Sequence, residues 1–411
     1  MRGEIITIGD ELITGRVPDQ NAHYLSSRLS SLGLVVTSIS TVGDVPGDIL
    51  EVLGRAVGRS DFILICGGLG PTEDDITTEV AAKFLKCPLV LNTWLLEYIK
   101  QSLTRRGLPW VDAYEKLALM PEGARLIDPQ GTACGFYCRH QEVPLFFLPG
   151  VPEEVRYLAE SKVLPLLLSY DREPAVVRQR LYKIFGLAEA RIGELLEGLA
   201  GREEGVLLGY YPNFPENHVS VTIRGRTVGQ TEEALERLGR EVEAVLAPYV
   251  VARDGASLEE AVGRVLTERG LTLAVAESCT GGLIGHRLTS VSGSSAYFER
   301  GVVAYSNRSK IALLGVRPEV LERYGAVSAE TARAMAEGAR TSSGASLGLA
   351  TTGIAGPTGG TPDKPVGTVY IALDSGKGAE AEHFLFPGDR AQVKMLTAET
   401  ALARLLRFLK P

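Results

Sequence analysis

Leu271–Gly282, LTLAVAESCTGG, reads as a buried strand that passes directly into a polar, glycine-loosened turn opening a helix. This puts Ser278 at the carboxyl end of a strand, the edge at which open parallel α/β sheets bind ligands. A helix amino terminus at that edge offers unpaired N–H groups for an anion or a developing oxyanion. Two roles compete for Ser278. Either it is a nucleophile, or Ser278 or Thr280 caps the helix, as Ser and Thr commonly do.

Two later segments repeat the arrangement. Gly301–Lys310, GVVAYSNRSK, is a short apolar strand ending in Tyr305, Asn307 and Lys310, and Thr351–Gly360, TTGIAGPTGG, follows the apolar Leu347–Ala350. A serine hydroxyl is a weak nucleophile until a neighbouring base takes its proton, and lysine can do so when burial or nearby positive charge lowers its pKa. Bringing lysine from about 10.4 to about 7 costs about 4–5 kcal/mol, so such a lysine needs a partly closed pocket. Without that pocket Lys310 is a solvated cation at a helix start, and Tyr305 a half-buried packing residue.

Together AESCTGG (Ala276–Gly282), GVVAYSN (Gly301–Asn307) with Lys310 behind it, TGIAGPTGG (Thr352–Gly360), KPVGTVYIA (Lys364–Ala372) and FPGDRAQVK (Phe386–Lys394) resemble the C-terminal domain of the CinA family, the nicotinamide mononucleotide deamidase fold. The resemblance implies hydrolysis of the carboxamide of nicotinamide mononucleotide to nicotinate mononucleotide and ammonia, without a cofactor. On it, Ser278 attacks, Lys310 with Tyr305 manages the proton, and amides around Thr280, Gly281 and Gly282 or Thr352 and Gly353 hold the oxyanion. Arg390 and the glycine-rich turn at Gly356 are expected to take the phosphate, since arginine pairs phosphate through two parallel hydrogen bonds. Asn307 and Lys364 complete the expected substrate-binding set. Cys279 is the rival nucleophile and is read as a small packing residue.

The amino-terminal part opens GEIITIGDELITG, a strand Glu4–Ile8 followed at once by Gly9, Asp10 and Glu11. A second strand, Leu34–Val42, leads to Gly43 and Asp44, and a third, Asp61–Cys66, leads to GGLGPTEDD at Gly67–Asp75. Helical patterns at Asn21–Leu32 and Asp48–Val57 lie between them, and such alternation predicts a mainly parallel sheet covered on both faces. Carboxylates after successive strands beside a glycine loop suit a magnesium or other divalent ion bridging to ligand phosphates. Asp10 and Asp75 are the expected metal ligands, with Glu11, Asp44, Gly67, Gly68 and Gly70 around the ligand. Any one acidic loop residue is otherwise a solvated turn former. GGLGPTEDD lacks the Gly-Lys-Ser/Thr ending of a P-loop.

The segments GDELITG, TVGDVPGDI, GGLGPTEDD and LPGVPEE resemble the molybdopterin-binding domain of the MogA and MoeA families, in the version that fronts CinA proteins. For CinA proteins this implies metal-dependent cleavage of ADP-ribose to AMP and ribose 5-phosphate. Molybdopterin is the competing ligand, because fold alone does not fix ligand.

Between these parts the order strand Val176–Phe185, helix Ala188–Leu199, strands Gly205–Tyr211 and His218–Arg224, helix Thr231–Leu246 describes a small α+β sandwich. CinA proteins carry a KH-like module here. Phe185–Leu199 contains no GXXG loop, and Glu194, Glu197, Glu203 and Glu204 make the segment acidic, so a spacer or dimer element is expected rather than an RNA reader.

The expected fold is therefore α/β: two three-layer α/β/α domains with mainly parallel sheets, at 1–170 and 254–411, joined by a small α+β KH-like domain at 171–253. Joints are expected near Asp171–Pro174 and Arg253–Ser257. The 411 residues suit two or three domains, and a net charge of −7 gives no global attraction for nucleic acid or anionic lipid. No apolar run approaches the ~20 residues that span a bilayer. No signal segment opens the chain, and the five cysteines form no zinc or disulfide pattern. A cytoplasmic homodimer acting on small nucleotides is expected. Two other classes remain open: a molybdopterin-type binding protein, and a competence or DNA-damage adaptor.

Overall fold

The computed structural model describes residues 1–128, 134–171, 175–199 and 205–410. Arg172–Pro174 of the first expected joint, and Glu203 and Glu204, lie outside the described residues. By internal contact the chain divides into two compact units, Met1–Arg178 with Arg224–Glu233, and Gln179–Ile223 with Ala234–Pro411.

In the first unit β1 (Arg2–Ile8), β2 (Val35–Val42) and β3 (Phe62–Cys66) precede a two-stranded ribbon of β4 (Leu89–Leu91) and β5 (Leu119–Pro121). Then come β6 (Arg125–Leu126), β7 (Phe136–His140) and β8 (Val143–Leu148), giving a six-stranded sheet of order β2-β1-β3-β8-β7-β6. The four strands β2, β1, β3 and β8 are parallel, and β7 and β6 turn antiparallel. Side chains alternate across a strand. Accordingly Phe62, Leu64 and Cys66 face a core shared with the helix Gln20–Ser31 and with Pro152–Leu158. Ile63 and Ile65 face the opposite core, under Pro46–Val57 and Thr77–Leu85. A strand apolar at every position thus serves two helical layers.

The middle module is a sheet of order β10-β11-β9-β12, built from β9 (Val176–Ile184), β10 (Val206–Asn213), β11 (Glu216–Gly225) and β12 (Val250–Arg253), with helices Glu189–Leu195 and Val228–Leu246. The closing strand β12 had no separate signal in the sequence. Phe185 and Val251 join the core of the C-terminal part, which explains why contacts group most of this module with it. A G-x-x-G spacing does occur at Gly198–Gly201, running beyond Phe185–Leu199, but residues 200 and 201 lie outside the described residues.

The C-terminal part holds β13 (Leu273–Glu277), β14 (Phe298–Val303), β15 (Leu347–Gly353), β16 (Thr368–Asp374) and β17 (Ala379–Leu385), ordered β14-β13-β15-β16-β17. Its parallel half, β14-β13-β15, carries the serine turn, while β16 and β17 are antiparallel. Leu273 and Val275 face a core with helices Leu258–Glu268, Leu283–Thr289 and Arg390–Leu409. Ala274 and Ala276 face the helices Asn307–Leu314 and Ala329–Ser343. The small residues on that face allow close approach: a Cβ added at Gly338 would lie 1.9 Å from Leu314 O. Ser257, in the second joint, caps Leu258–Glu268 in a reciprocal box with Glu260.

Candidate functional site

β13 ends at Glu277, and the chain turns through Gly281 and Gly282 at φ 63° and 97°, values that favour glycine. Ser278 follows the strand with its N–H bonded to Thr351 O (3.0 Å), which fixes it between β13 and β15. The first residue missed in the sequence lies beside it. Glu277, 2% exposed, accepts from the N–H groups of Gly282, Ile284 and Gly285 at 2.9, 3.1 and 2.8 Å. The amino terminus of Leu283–Thr289 is therefore filled by the protein's own carboxylate. The expected anion-binding helix end is not free, and neither Ser278 nor Thr280 is its cap. Its sequence signal was a carboxylate at the last strand position ahead of a double glycine.

Lys310 lies on Asn307–Leu314, which starts at Ser306, whose hydroxyl accepts from Ser309 N. That start sends Lys310 inward: it is 1% exposed, and its Nζ donates to Ser278 Oγ (3.0 Å) and Ala304 O (2.8 Å). Burial pushes its pKa below the usual lysine value, opposed only by a small upward effect from Cys279. Both partners of Nζ are neutral, so neither supplies a counterion that would offset the downward shift. Cys279 is itself buried, its thiol pushed up to about 12 by desolvation, and is therefore not a ready thiolate.

The other expected residues divide. Thr280 Oγ1 and Thr351 Oγ1 are 2.9 Å apart, locking the turn to β15. Gly281 N is bonded to Ser278 O, so together with the Glu277 bond to Gly282 N it withdraws two of the expected oxyanion donors. Tyr305 is 59% exposed, and its hydroxyl accepts from Arg390 Nη2 at 2.7 Å rather than meeting Lys310. Arg390 also donates to Gly356 O (2.8 Å), so Tyr305, Gly356 and Arg390 form one corner of the site. Lys364 was expected to contact substrate, but Nζ is committed to Tyr324 O (3.2 Å) and Val327 O (2.6 Å). Thr352 Oγ1 is likewise bonded to Ala326 O (2.7 Å). These two side chains pin the turn after Pro318–Tyr324. Gly353 is needed for packing, since an added Cβ would stand 2.7 Å from Thr368 O. Asn307 is the exposed first residue of its helix. Lys394, the last residue of FPGDRAQVK, places its Nζ 3.7 Å from the Cβ position of Gly281. It stands one helical turn after Arg390 on the same face.

The first unit has its own cleft, of about 520 Å³, at the carboxyl ends of β1, β2, β3 and β8. Glu11, Asp44, Gly67, Gly68, Gly70, Asp74 and Asp75 line it. Gly67 and Gly68 have φ of 107° and 65°, and a Cβ on Gly67 would lie 2.1 Å from Ile8 O, so this loop requires glycine. Asp75 Oδ2 accepts from the Thr72 N–H (2.9 Å) and hydroxyl, which closes the loop. Asp10 does not join Asp75. Its Oδ1 accepts from Asp44 N (3.2 Å), Asp10 N donates to Asp44 Oδ2 (2.9 Å), and Asp10 lines a neighbouring cleft with Asp48 and Glu51. Among the described residues no three His, Cys, Asp or Glu converge as metal ligands. Burial, with the charges of Asp10, Glu11 and Asp74 behind it, pushes the Asp44 carboxyl up, although the bond from Asp10 N pulls the other way. A half-buried carboxyl with other acidic groups around it suits a divalent cation whose remaining ligands are water and phosphate, not a closed protein cage.

Two α/β domains, the first with a cleft at its strand ends and the second with a buried serine–lysine pair after a strand end, define the class. Residues 4–169 match a family model described as "Probable molybdopterin binding domain", 179–252 one described as "Damage-inducible protein CinA KH domain", and 255–409 the CinA C-terminal domain. The chain is 45% identical to a CinA-like protein of Geobacter sulfurreducens, over 100% of this chain and 99% of that protein. It is 43% identical to a CinA-like protein of Geotalea uraniireducens, over 98% and 96%. The crystal structure of the competence/damage inducible protein CihA from Agrobacterium tumefaciens is 42% identical over 37% of this chain and 95% of that one, with a TM-score of 0.36. The chain belongs to the CinA family. Among the described residues no helix is long and apolar enough to cross a membrane.

Proposed function

We propose that the chain is a bifunctional pyridine-nucleotide salvage hydrolase: a nicotinamide mononucleotide deamidase in its C-terminal domain and a metal-dependent ADP-ribose pyrophosphatase in its N-terminal domain. The observation that carries the first activity is the 3.0 Å contact between a buried Lys310 Nζ and Ser278 Oγ. Ser278 Oγ attacks the carboxamide carbon while its proton passes to neutral Lys310. The tetrahedral oxyanion collapses by breaking the C–N bond, and Lys310 returns the proton to the departing ammonia. Water then hydrolyses the acyl ester to nicotinate mononucleotide, with Lys310 again as base. The Gly281 and Gly282 N–H groups already have partners, so the oxyanion is met by other donors at this strand edge. Arg390 retains guanidinium N–H groups beyond the two in use, and with Lys394 it supports the phosphate.

In the N-terminal domain the glycine loop and the acidic strand ends support binding of a diphosphate together with a divalent cation. Such an ion, held by Asp75 and the Glu11–Asp44 edge, would neutralise the charge that develops as water splits the phosphoanhydride. The proposal is tested by incubating the pure full chain with nicotinamide mononucleotide and with ADP-ribose, with and without magnesium, and identifying products. Ammonia without magnesium, and AMP with ribose 5-phosphate only with it, are expected. Absence of either product set removes that half of the proposal.

A further inference from the structure

Glu277 is bonded to both sides of the serine–lysine pair. It ends β13 and lies between Val303 of β14 and Thr351 of β15. Side chains alternate across a strand, so Glu277 points to the face covered by Leu283–Thr289, and Ser278 turns to the face that carries Lys310. The main chain of Glu277 serves the lysine. Its O accepts from Ala304 N (2.8 Å), and Ala304 O in turn accepts from Lys310 Nζ (2.8 Å), which donates also to Ser278 Oγ (3.0 Å). A ring of short bonds thus returns to Ser278, the next residue in the chain.

The side chain of Glu277 serves the serine. Oε2 accepts from Gly282 N and Ile284 N, and Oε1 from Gly285 N, so the carboxylate ties the far end of the 278–282 turn back to the strand that starts it. Within the turn the Gly281 N–H bonds Ser278 O at 3.2 Å, and the two glycines give the backbone little stiffness of its own. Released from the carboxylate, the segment is free to shift Ser278 against Lys310. The charge of Glu277 is met by the helix N–H groups. The Lys310 amine is lowered by burial and opposed weakly by Cys279, with no contribution from Glu277. Glu277 therefore acts on the pair by place and not by charge.

We infer that Glu277 is a positioning residue for deamidation: its carboxylate holds the turn after β13 on the strand end and so sets the Ser278 hydroxyl against the Lys310 amine. The inference rests on the deamidase reading of this site. Two variants of the full chain separate place from charge. Glu277→Gln loses the charge but keeps an oxygen for Gly282 and Ile284, whereas Glu277→Asp keeps the charge and is one methylene shorter. A misplacement of about 1 Å at a reacting group costs about 100-fold in rate. Glu277→Asp should therefore lose about 100-fold in kcat for ammonia release from nicotinamide mononucleotide, with KM changed by less than about threefold. Glu277→Gln should stay within about tenfold of wild-type kcat and keep the wild-type pH midpoint. Arg287→Met loosens the same helix from its last turn and should leave kcat within about threefold of wild type. Gly282→Ala strains the same turn at φ 97° without changing Glu277; it should match Glu277→Asp, and it carries the test if Glu277→Asp does not fold. The inference is overturned if Glu277→Asp or Gly282→Ala turns over as wild type does, or if Glu277→Gln is as slow as Glu277→Asp. A moved pH midpoint in Glu277→Gln, or an equal loss in Arg287→Met, overturns it as well. Wild-type protein that releases no ammonia removes the deamidase reading and this inference with it, whereas active wild type with an indifferent Glu277→Asp removes the inference alone.

Discussion

Replacing Lys310 by methionine separates the base from its structural duties. Arginine would keep the charge and remove the base, but a side chain that is 1% exposed and bonded to Ser278 Oγ and Ala304 O has no place for a larger, permanent cation. Methionine matches the length and removes the amine. Its loss leaves Ala304 O without its buried donor, a cost of about 1–3 kcal/mol. Against this, the wild-type amine is held in a desolvated site without a counterion, and removing it relieves a penalty of similar size. Net stability should therefore stay within about 1–2 kcal/mol of wild type. Turnover should not: loss of one member of a nucleophile–base unit costs about 10³- to 10⁶-fold, or about 4–8 kcal/mol of activation free energy. Because burial lowers the Lys310 pKa, wild-type deamidation should rise with pH through an apparent pKa below the ordinary 10.5. The same shift means that the folded state holds this proton less tightly than the unfolded chain. The penalty is complete below the folded pKa and vanishes as pH rises past the unfolded value, so any stability gained in Lys310→Met should shrink toward high pH. Ammonia release and urea unfolding across pH measure both effects. A folded Lys310→Met protein within tenfold of wild-type turnover, with the wild-type pH profile, would refute lysine as the base.

Ser278→Ala should abolish ammonia release while ADP-ribose cleavage stays near its starting level; retained deamidation would return the search to Cys279. Asp75→Asn removes the charge but keeps an acceptor for Thr72, so ADP-ribose cleavage should fall steeply and require more magnesium, with deamidation unchanged. Arg287 is shared by Glu259 (2.8 Å) and Glu399 (2.7 Å), and Arg287→Met should cost about 3–5 kcal/mol in chemical unfolding because the buried Glu399 and the half-buried Glu259 lose their cation. Burial pushes Glu399 up to about 7 despite Arg287; stability from this group is full below its unfolded pKa and is lost as pH rises through about 7, so Glu399→Gln should flatten that decline. Gly338→Ala should destabilise by about 1–3 kcal/mol, since its Cβ would meet Leu314 O, and a neutral result would mean that the two helices separate easily.

The local outline was legible because it depends on near neighbours in the chain. Short continuous apolar runs bounded by turn residues, such as Phe62–Cys66 and Leu273–Ala276, suit strands buried on two faces, and the helices between them favour a parallel core. The polar turn after each parallel strand then has to lie at one sheet edge, which brings Ser278 and Thr351 to the same place. Tertiary structure decided which polar groups remain available there, because a hydrogen-bonding group is claimed by whichever partner folds beside it. Glu277 took the helix amino terminus expected for an anion, Ala326, Tyr324 and Val327 carbonyls took Thr352 and Lys364, and Arg390 took Tyr305 away from the proton relay. Asp10 and Asp75 follow parallel strands, yet they point into different clefts because Asp44 holds Asp10 aside. Lys310 meets Ser278 across thirty-two residues only because Ser306 sets its helix start and the alanine face of β13 brings that helix close. Spacing along the sequence does not encode such a distance; the packing of two elements against a common sheet does.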